Sequence, residues 1–372
     1  MTARTLRYAP HVAVFAVGYV TFTYSAVPGY VAARYGATIT TVGFLMSAAL
    51  LSFVLAQAVA DRLASRWTTT QALLGLLGAH AALAVALDFA PSLESLLVLR
   101  ALWGLAGGLL LSIGATHVAR LYDGRAATRQ QGVYGGMLTL GGAFGFLLAE
   151  PVVSLTGGFG VHALGAPLAL PAIAMLWPHR RGTRTAGTAA SGGFRTVLAN
   201  RVVLVAALCY VATIGAYITL STFITAYFDD LGVTGPLNAA VLATATAGRA
   251  LGGTVSARWG VSDARIVSVT TLLGALAFVG LLVDARVVAL VGPLVAMIAV
   301  SLPFGAVYNL AAAATAQETA ALALVVAAGN VAAVALPTFT GVVRANTGGY
   351  AAVFCVLAAL LLAASLAARQ TR

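Results

Sequence analysis

The chain has 372 residues, of which 60% are hydrophobic and only 8% charged, against about 25% charged in an ordinary soluble domain. Its 21 basic residues, all arginine, and 10 acidic ones give a net charge of +11. With a mean hydropathy of +0.96, that is too little charge to cover a soluble protein, which excludes a soluble enzyme, a secreted disulfide scaffold and a disordered chain. The arginines are spread thinly between apolar runs and not gathered on one polar face. That pattern marks the loops of a membrane protein and argues against a nucleic-acid partner.

A helix that crosses a bilayer needs about 20 mostly apolar residues. Twelve such runs follow one another, at 10–31, 40–60, 69–90, 95–118, 131–152, 160–178, 202–228, 237–257, 264–284, 286–312, 319–342 and 349–368. They are numbered here as spans 1 to 12. Span 1 follows Arg4 and Arg7 as a signal peptide would, but it has crossing length and no small-residue cleavage site, so it reads as a first spanning helix. Alternating polarity at strand length is absent, which argues against a β-barrel. His80 stands alone in span 3 and reads as structural. Cys209 in span 7 and Cys355 in span 12 read as buried thiols without metal or redox spacing. Spans 9 and 10 are joined by only Asp284-Ala285-Arg286.

The longest polar stretch, 179–201, is rich in Arg, Gly, Thr and Ser and reads as a flexible cytoplasmic linker. It divides the chain into an N-terminal six-helix bundle, 1–178, and a C-terminal one, 202–372. With the N-terminus placed inside, sixteen arginines fall in cytoplasmic segments. Three (Arg34, Arg286, Arg344) fall outside, and Arg100 and Arg249 lie within spans. The bias puts both termini in the cytoplasm. The halves also resemble each other. Thr156-Gly157-Gly158-Phe159 before span 6 recurs as Thr347-Gly348-Gly349-Tyr350 before span 12, and Arg62 at the end of span 2 falls on Arg258 at the end of span 8. Such a repeat predicts a solute site between two similar halves.

Intramembrane charge singles out the candidate site residues, because an arginine in a span costs at least about 2.5–3.5 kcal/mol unless paired or hydrated. Arg100 sits more than a turn inside span 4, with Gly104 and Gly108 on its own side for close helix approach. Its depth matches that of Glu150 at the end of span 5, and the two are expected to pair. Arg249 lies deep in span 8, with Thr246, Gly252, Gly253 and Ser256 on its side and no acid one turn away. It is the candidate for binding a substrate carboxylate through bidentate hydrogen bonds. Tyr19, with Phe15 and Phe22, forms a helical stripe on span 1, and Tyr217 pairs with Tyr210 on span 7. These serve either solute stacking or ordinary packing. Asn309 and Asn330 either bind solute or bond neighbouring helices.

The chain resembles the major facilitator superfamily of secondary transporters along nearly its whole length. The family's loop 2–3 motif, Gly-x-x-x-Asp-Arg-x-Gly-Arg-Arg/Lys, appears with Asp61, Arg62 and Arg66 in place and its glycines lost. The span 4 motif Leu-x-x-x-Arg-x-x-x-Gly appears as Leu96 to Gly104. The span 5 antiporter motif keeps the spacing of Gly132, Gly141 and Gly145, but Phe146 replaces its proline, and Ala149 and Glu150 replace its last glycines. Gly341 to Tyr350 is similar to the family's turn between spans 11 and 12. The resemblance implies an all-α integral membrane protein with twelve transmembrane helices in two pseudo-symmetric six-helix bundles. It implies secondary active transport of a small solute by alternating access, driven by protons, with Asp61, Arg62, Arg66 and Arg258 as a conformational latch and Arg100 in proton coupling. It further implies a protein that is not an enzyme, needs no cofactor or metal, acts as a monomer, and meets the lipid bilayer, a small-molecule substrate and protons. The all-arginine basic content points to a prokaryotic cell membrane. A drug or metabolite efflux antiporter stays open. So does a non-transporting sensor or assembly protein, although no extramembrane domain is visible. No Gly-x-x-x-x-Gly-Lys-Ser/Thr loop occurs, which argues against direct use of ATP.

Overall fold

The computed structural model describes residues 2–122, 124–180, 197–233 and 235–371. The side chains of 2–5, 57–66, 119–120, 124–128, 256–257 and 319 lie outside the description. The described residues are helical almost throughout and fall into two compact units, one of the described residues up to 180 with 235–239 and one of 197–233 with 240–371.

The first unit contains α1 (Thr2–Ala26), α2 (Pro28–Tyr35), α3 (Ile39–Arg66), α4 (Thr69–Asp88), α5 (Leu93–Leu121), α6 (Gly124–Thr156) and α7 (Gly165–Leu176). Span 1 is therefore not one straight helix: α1 and α2 meet at 69°. Pro28 has no N–H to continue α1 and forces the residue before it out of the helical region; Val27 sits at φ −131°, ψ 55°. The short connections into α4 and α5 are closed by reciprocal caps, Thr68 with Gln71 and Ser92 with Ser95, each satisfying two amides that a helix start leaves open. α1 packs along α6, and α3 along α5. A Cβ at Gly104 would lie 2.5 Å from the carbonyl oxygen of Ala49, and one at Gly108 2.7 Å from Cα of Phe53. Gly141 and Gly145 abut the α1 carbonyls of Phe15 and Tyr19 in the same way.

The second unit contains α8 (Arg201–Asp230), α9 (Leu237–Trp259), α10 (Asp263–Gly280), α11 (Arg286–Ser301), α12 (Phe304–Ala313), α13 (Glu318–Thr347) and α14 (Ala351–Arg369). α8 packs along α13 and α10 along α14. Span 10 is also divided, into α11 and α12, where Pro303 cannot donate to the preceding turn. Nine described helices, ten with the bent α1–α2 pair, are long and apolar enough to cross a membrane, with α11–α12 taken as one. The other two spans are α7, which has only 12 residues, and α9, which carries Arg249. The repeated Thr-Gly-Gly turn opens in the same way in both units, although Gly158 is left-handed at φ 106° and Gly349 is not. Gly158 N–H reaches Thr156 Oγ1 at 3.2 Å, and Gly349 N–H reaches Thr347 Oγ1 at 3.4 Å. Gly157 and Gly348 hold left-handed φ values of 69° and 73°, which glycine adopts without a Cβ penalty.

The two cysteines part company. Cys209 is buried, with its thiol on the Ala364 carbonyl at 3.5 Å. Cys355 is exposed, because its position on α14 faces away from the core that Phe354 and Leu357 enter.

Candidate functional site

In the first unit Arg100 is fully enclosed, at 1% exposure, so it does not snorkel to an interface. Its Nη1 donates to the Val20 carbonyl at 2.7 Å, its Nη2 to the Thr21 carbonyl and its Nε to the Leu45 carbonyl at 3.4 Å. The guanidinium also lies 5.2 Å from the ring centres of Tyr24 and of Trp103. The fork thus binds the C-terminal part of α1, where the helix dipole is negative, to α3 and α5. The expected pair with Glu150 is not formed, since Glu150 is exposed and the arginine is engaged by backbone. His80 is part of the same packing: its Nδ1 accepts from Trp103 Nε1 at 3.0 Å.

Beside this cluster is a site that the sequence did not disclose. Asp88, the last residue of α4, accepts from the backbone N–H groups of Gly160 (2.7 Å), His162 (3.1 Å) and Ala163 (2.9 Å), and its Oδ1 lies 2.7 Å from His162 Nδ1. Arg34 Nη2 donates to the Asp88 carbonyl at 2.9 Å. The carboxylate therefore clasps the connection between α6 and α7. Seventy-four positions separate the partners, and neither residue belongs to a spaced motif.

In the second unit Arg249 is 4% exposed. Its guanidinium carbon lies 4.7 Å from the Tyr217 ring centre and 4.5 Å from that of Phe304. Desolvated contacts of this kind contribute about 2 kcal/mol each, which offsets part of the cost of a buried charge. Tyr210 and Tyr308 complete an aromatic group, their hydroxyls 3.0 Å apart and their rings edge to face. The small residues beside Arg249 allow the approach. A Cβ at Gly248 would come within 2.9 Å of the Ser301 side chain, and one at Gly252 would meet the Leu302 carbonyl oxygen. Gly329 of α13 abuts the Tyr210 ring.

A family model described as Major Facilitator Superfamily matches residues 11–321. The chain belongs to the major facilitator superfamily. No curated protein matches it. As a superfamily member it is a multi-pass membrane protein and a secondary transporter of a small solute, not an enzyme, with the twelve-helix, two-bundle fold.

The other sequence-predicted residues of this superfamily transporter are dispersed. Tyr19 is fully buried, and its hydroxyl has no hydrogen-bond partner among the described residues. Phe22 is buried, while Phe15 is half-buried against Phe144. Asn309 and Asn330 are half-buried on α12 and α13. Gly132 is buried in α6. Of the latch residues, Arg258 is exposed in the last turn of α9, and the side chains of Asp61, Arg62 and Arg66 lie outside the described residues. Among the described residues no group of three or more His, Cys, Asp or Glu is placed to hold a metal ion.

Proposed function

We propose that this transporter carries a small solute bearing a carboxylate or a comparable anionic group, that Arg249 recognises that group, and that a proton gradient drives the cycle in the cell membrane. One observation carries the reading: a guanidinium buried to 4% exposure and flanked by the rings of Tyr217 and Phe304. Aromatic neighbours fix the plane of the guanidinium, and a plane so fixed presents its N–H edge to a carboxylate in bidentate geometry. Small residues at Gly248 and Gly252 keep α9 close to α11 and Leu302, which stiffens the site. Asp61, Arg62, Arg66 and Arg258 are assigned to the latch between conformational states on the family motif alone.

The test uses the full chain in reconstituted vesicles with an imposed pH gradient. A panel of labelled organic anions, sugars and cationic compounds identifies a transported solute, and unlabelled carboxylates then compete with it in wild type and Arg249→Gln. Loss of one charge-assisted pair, about 1.5–3 kcal/mol, predicts carboxylate inhibition weakened about tenfold or more. Equal inhibition of both proteins would make Arg249 structural.

A further inference from the structure

The Asp88–His162 pair is more than a turn clasp. The carboxylate accepts four N–H donors, an arrangement that suits an ionised acid, which only accepts. His162 Nδ1 must then carry a hydrogen to bond Oδ1, and the neutral ring keeps its lone pair on Nε2. That nitrogen is buried and has no hydrogen-bond partner among the described residues, in a side chain 1% exposed. Burial holds the His162 imidazole below its ordinary range, and Arg100 and Arg34 add to that; the carboxylate on Nδ1–H opposes it, raising the basicity of the other ring nitrogen and stabilising the imidazolium when a proton is added there. The sequence position adds to the case, since His162 lies in the connection between α6 and α7, outside the helices.

We propose that Asp88 and His162 form a proton-binding site in the first unit, at the end of the bundle where α4 meets α5, with His162 Nε2 as the atom that takes the proton. One proton from solvent adds to the lone pair, the imidazole becomes imidazolium, and the Nδ1–H bond to Asp88 is kept. The charged and titratable groups facing the pair are Tyr19 and Tyr24 of α1, Tyr30, Arg34 and Tyr35 of α2, and Arg100 of α5. The Tyr24 ring centre is 3.9 Å from that of His162, and the guanidinium of Arg100 lies 5.2 Å from Tyr24 on that ring's account. Arg34 lies 5.8 Å from the Tyr30 ring and 5.4 Å from the Tyr35 ring, while donating to the Asp88 carbonyl. Proton binding thus adds a third cation beside Arg34, which bonds the Asp88 backbone carbonyl, and Arg100, which bonds carbonyls of α1 and α3. The added charge acts on the Arg34 link between α2 and α4 and, through Tyr24, on the end of α1 just before its bend at Val27. This connects protonation to the one place where span 1 is broken. The coupling role rests on the proton-driven transport proposed above; the proton site itself does not.

The test is nitrogen-15 NMR of histidine-labelled full-length protein, wild type, His162→Gln and Asp88→Asn, titrated with protons alone. One ring signal, absent from His162→Gln, is expected to pass from neutral to doubly protonated as the pH falls below the ordinary histidine range. In Asp88→Asn its midpoint is expected to move to lower pH by about one unit or more, as one lost ion-pair interaction requires. If His162→Gln does not fold, the signal that moves in Asp88→Asn makes the assignment. A His162 ring that stays neutral throughout, or that titrates identically with and without the Asp88 charge, would overturn the proposal. Absence of flux driven by a pH gradient in wild type would instead overturn the transport reading and leave the titration as measured.

Discussion

Replacing Asp88 by alanine removes the acceptor for four donors at once. Two of them, His162 N–H and Nδ1–H, belong to a buried residue, and an orphaned buried donor costs about 1–3 kcal/mol. Gly160 and Ala163 are half-buried, so their amides regain water and cost less. Together the loss should open the 157–164 connection by about 3–5 kcal/mol relative to wild type. At about 1.4 kcal/mol per tenfold, that corresponds to a fall of at least about a hundredfold in amide exchange protection at Gly160, His162 and Ala163. Asparagine should cost less. With its carbonyl in the place of Oδ2 it accepts from all three backbone amides, and its NH2 can donate to Nδ1 once the ring proton has moved to Nε2. The bonds survive at neutral strength, so about 2 kcal/mol is expected. Hydrogen exchange of the detergent-solubilised protein resolves the two variants. Unchanged protection of the 160–163 amides in Asp88→Ala would refute the clasp.

Arg100→Lys keeps the charge but replaces a fork that spans the Val20, Thr21 and Leu45 carbonyls with a single ammonium, and should lower stability by about 1.5–3 kcal/mol; an unshifted thermal midpoint would remove Arg100 from the α1–α3–α5 packing. Gly104→Ala drives a Cβ into the Ala49 carbonyl oxygen and should cost about 1–3 kcal/mol through overpacking, whereas Gly75→Ala, with open space at its Cβ, should not destabilise; equal midpoints for the two variants would sink the close-approach argument. A small membrane-permeant thiol reagent applied to the detergent-solubilised protein should label Cys355, on the outer face of α14, and spare buried Cys209, which peptide mapping reads directly.

Apolar run length located the spans because a bilayer leaves that signal in every segment that crosses it. The breaks were harder to read, since proline alone does not decide them. Pro151, Pro293 and Pro337 lie inside continuous helices, while Pro28 opens α2 and Pro303 precedes α12. The buried arginines stood out as charges in apolar runs, but the partners of Arg100 did not, because backbone carbonyls have no sequence identity. A carboxylate at matching depth, Glu150, was the only visible partner, and it faces outward. Asp88 and His162 were invisible for a different reason: one ends an apolar run and the other sits in a glycine-rich turn, and only the packing of α4 on α7 brings them together.

The division of span 10 leaves α12 only 10 residues long, below the about 12–15 at which a helix holds its shape in isolation. Its helicity is therefore borrowed from α8 and α13, against which it packs. Phe304, one of the two rings beside Arg249, is its first residue. The charge is thus bounded on one side by a long, self-sufficient helix through Tyr217, and on the other by a piece whose order is conditional. Any loosening of α8 against α13 is felt first as a change in the surroundings of a single guanidinium.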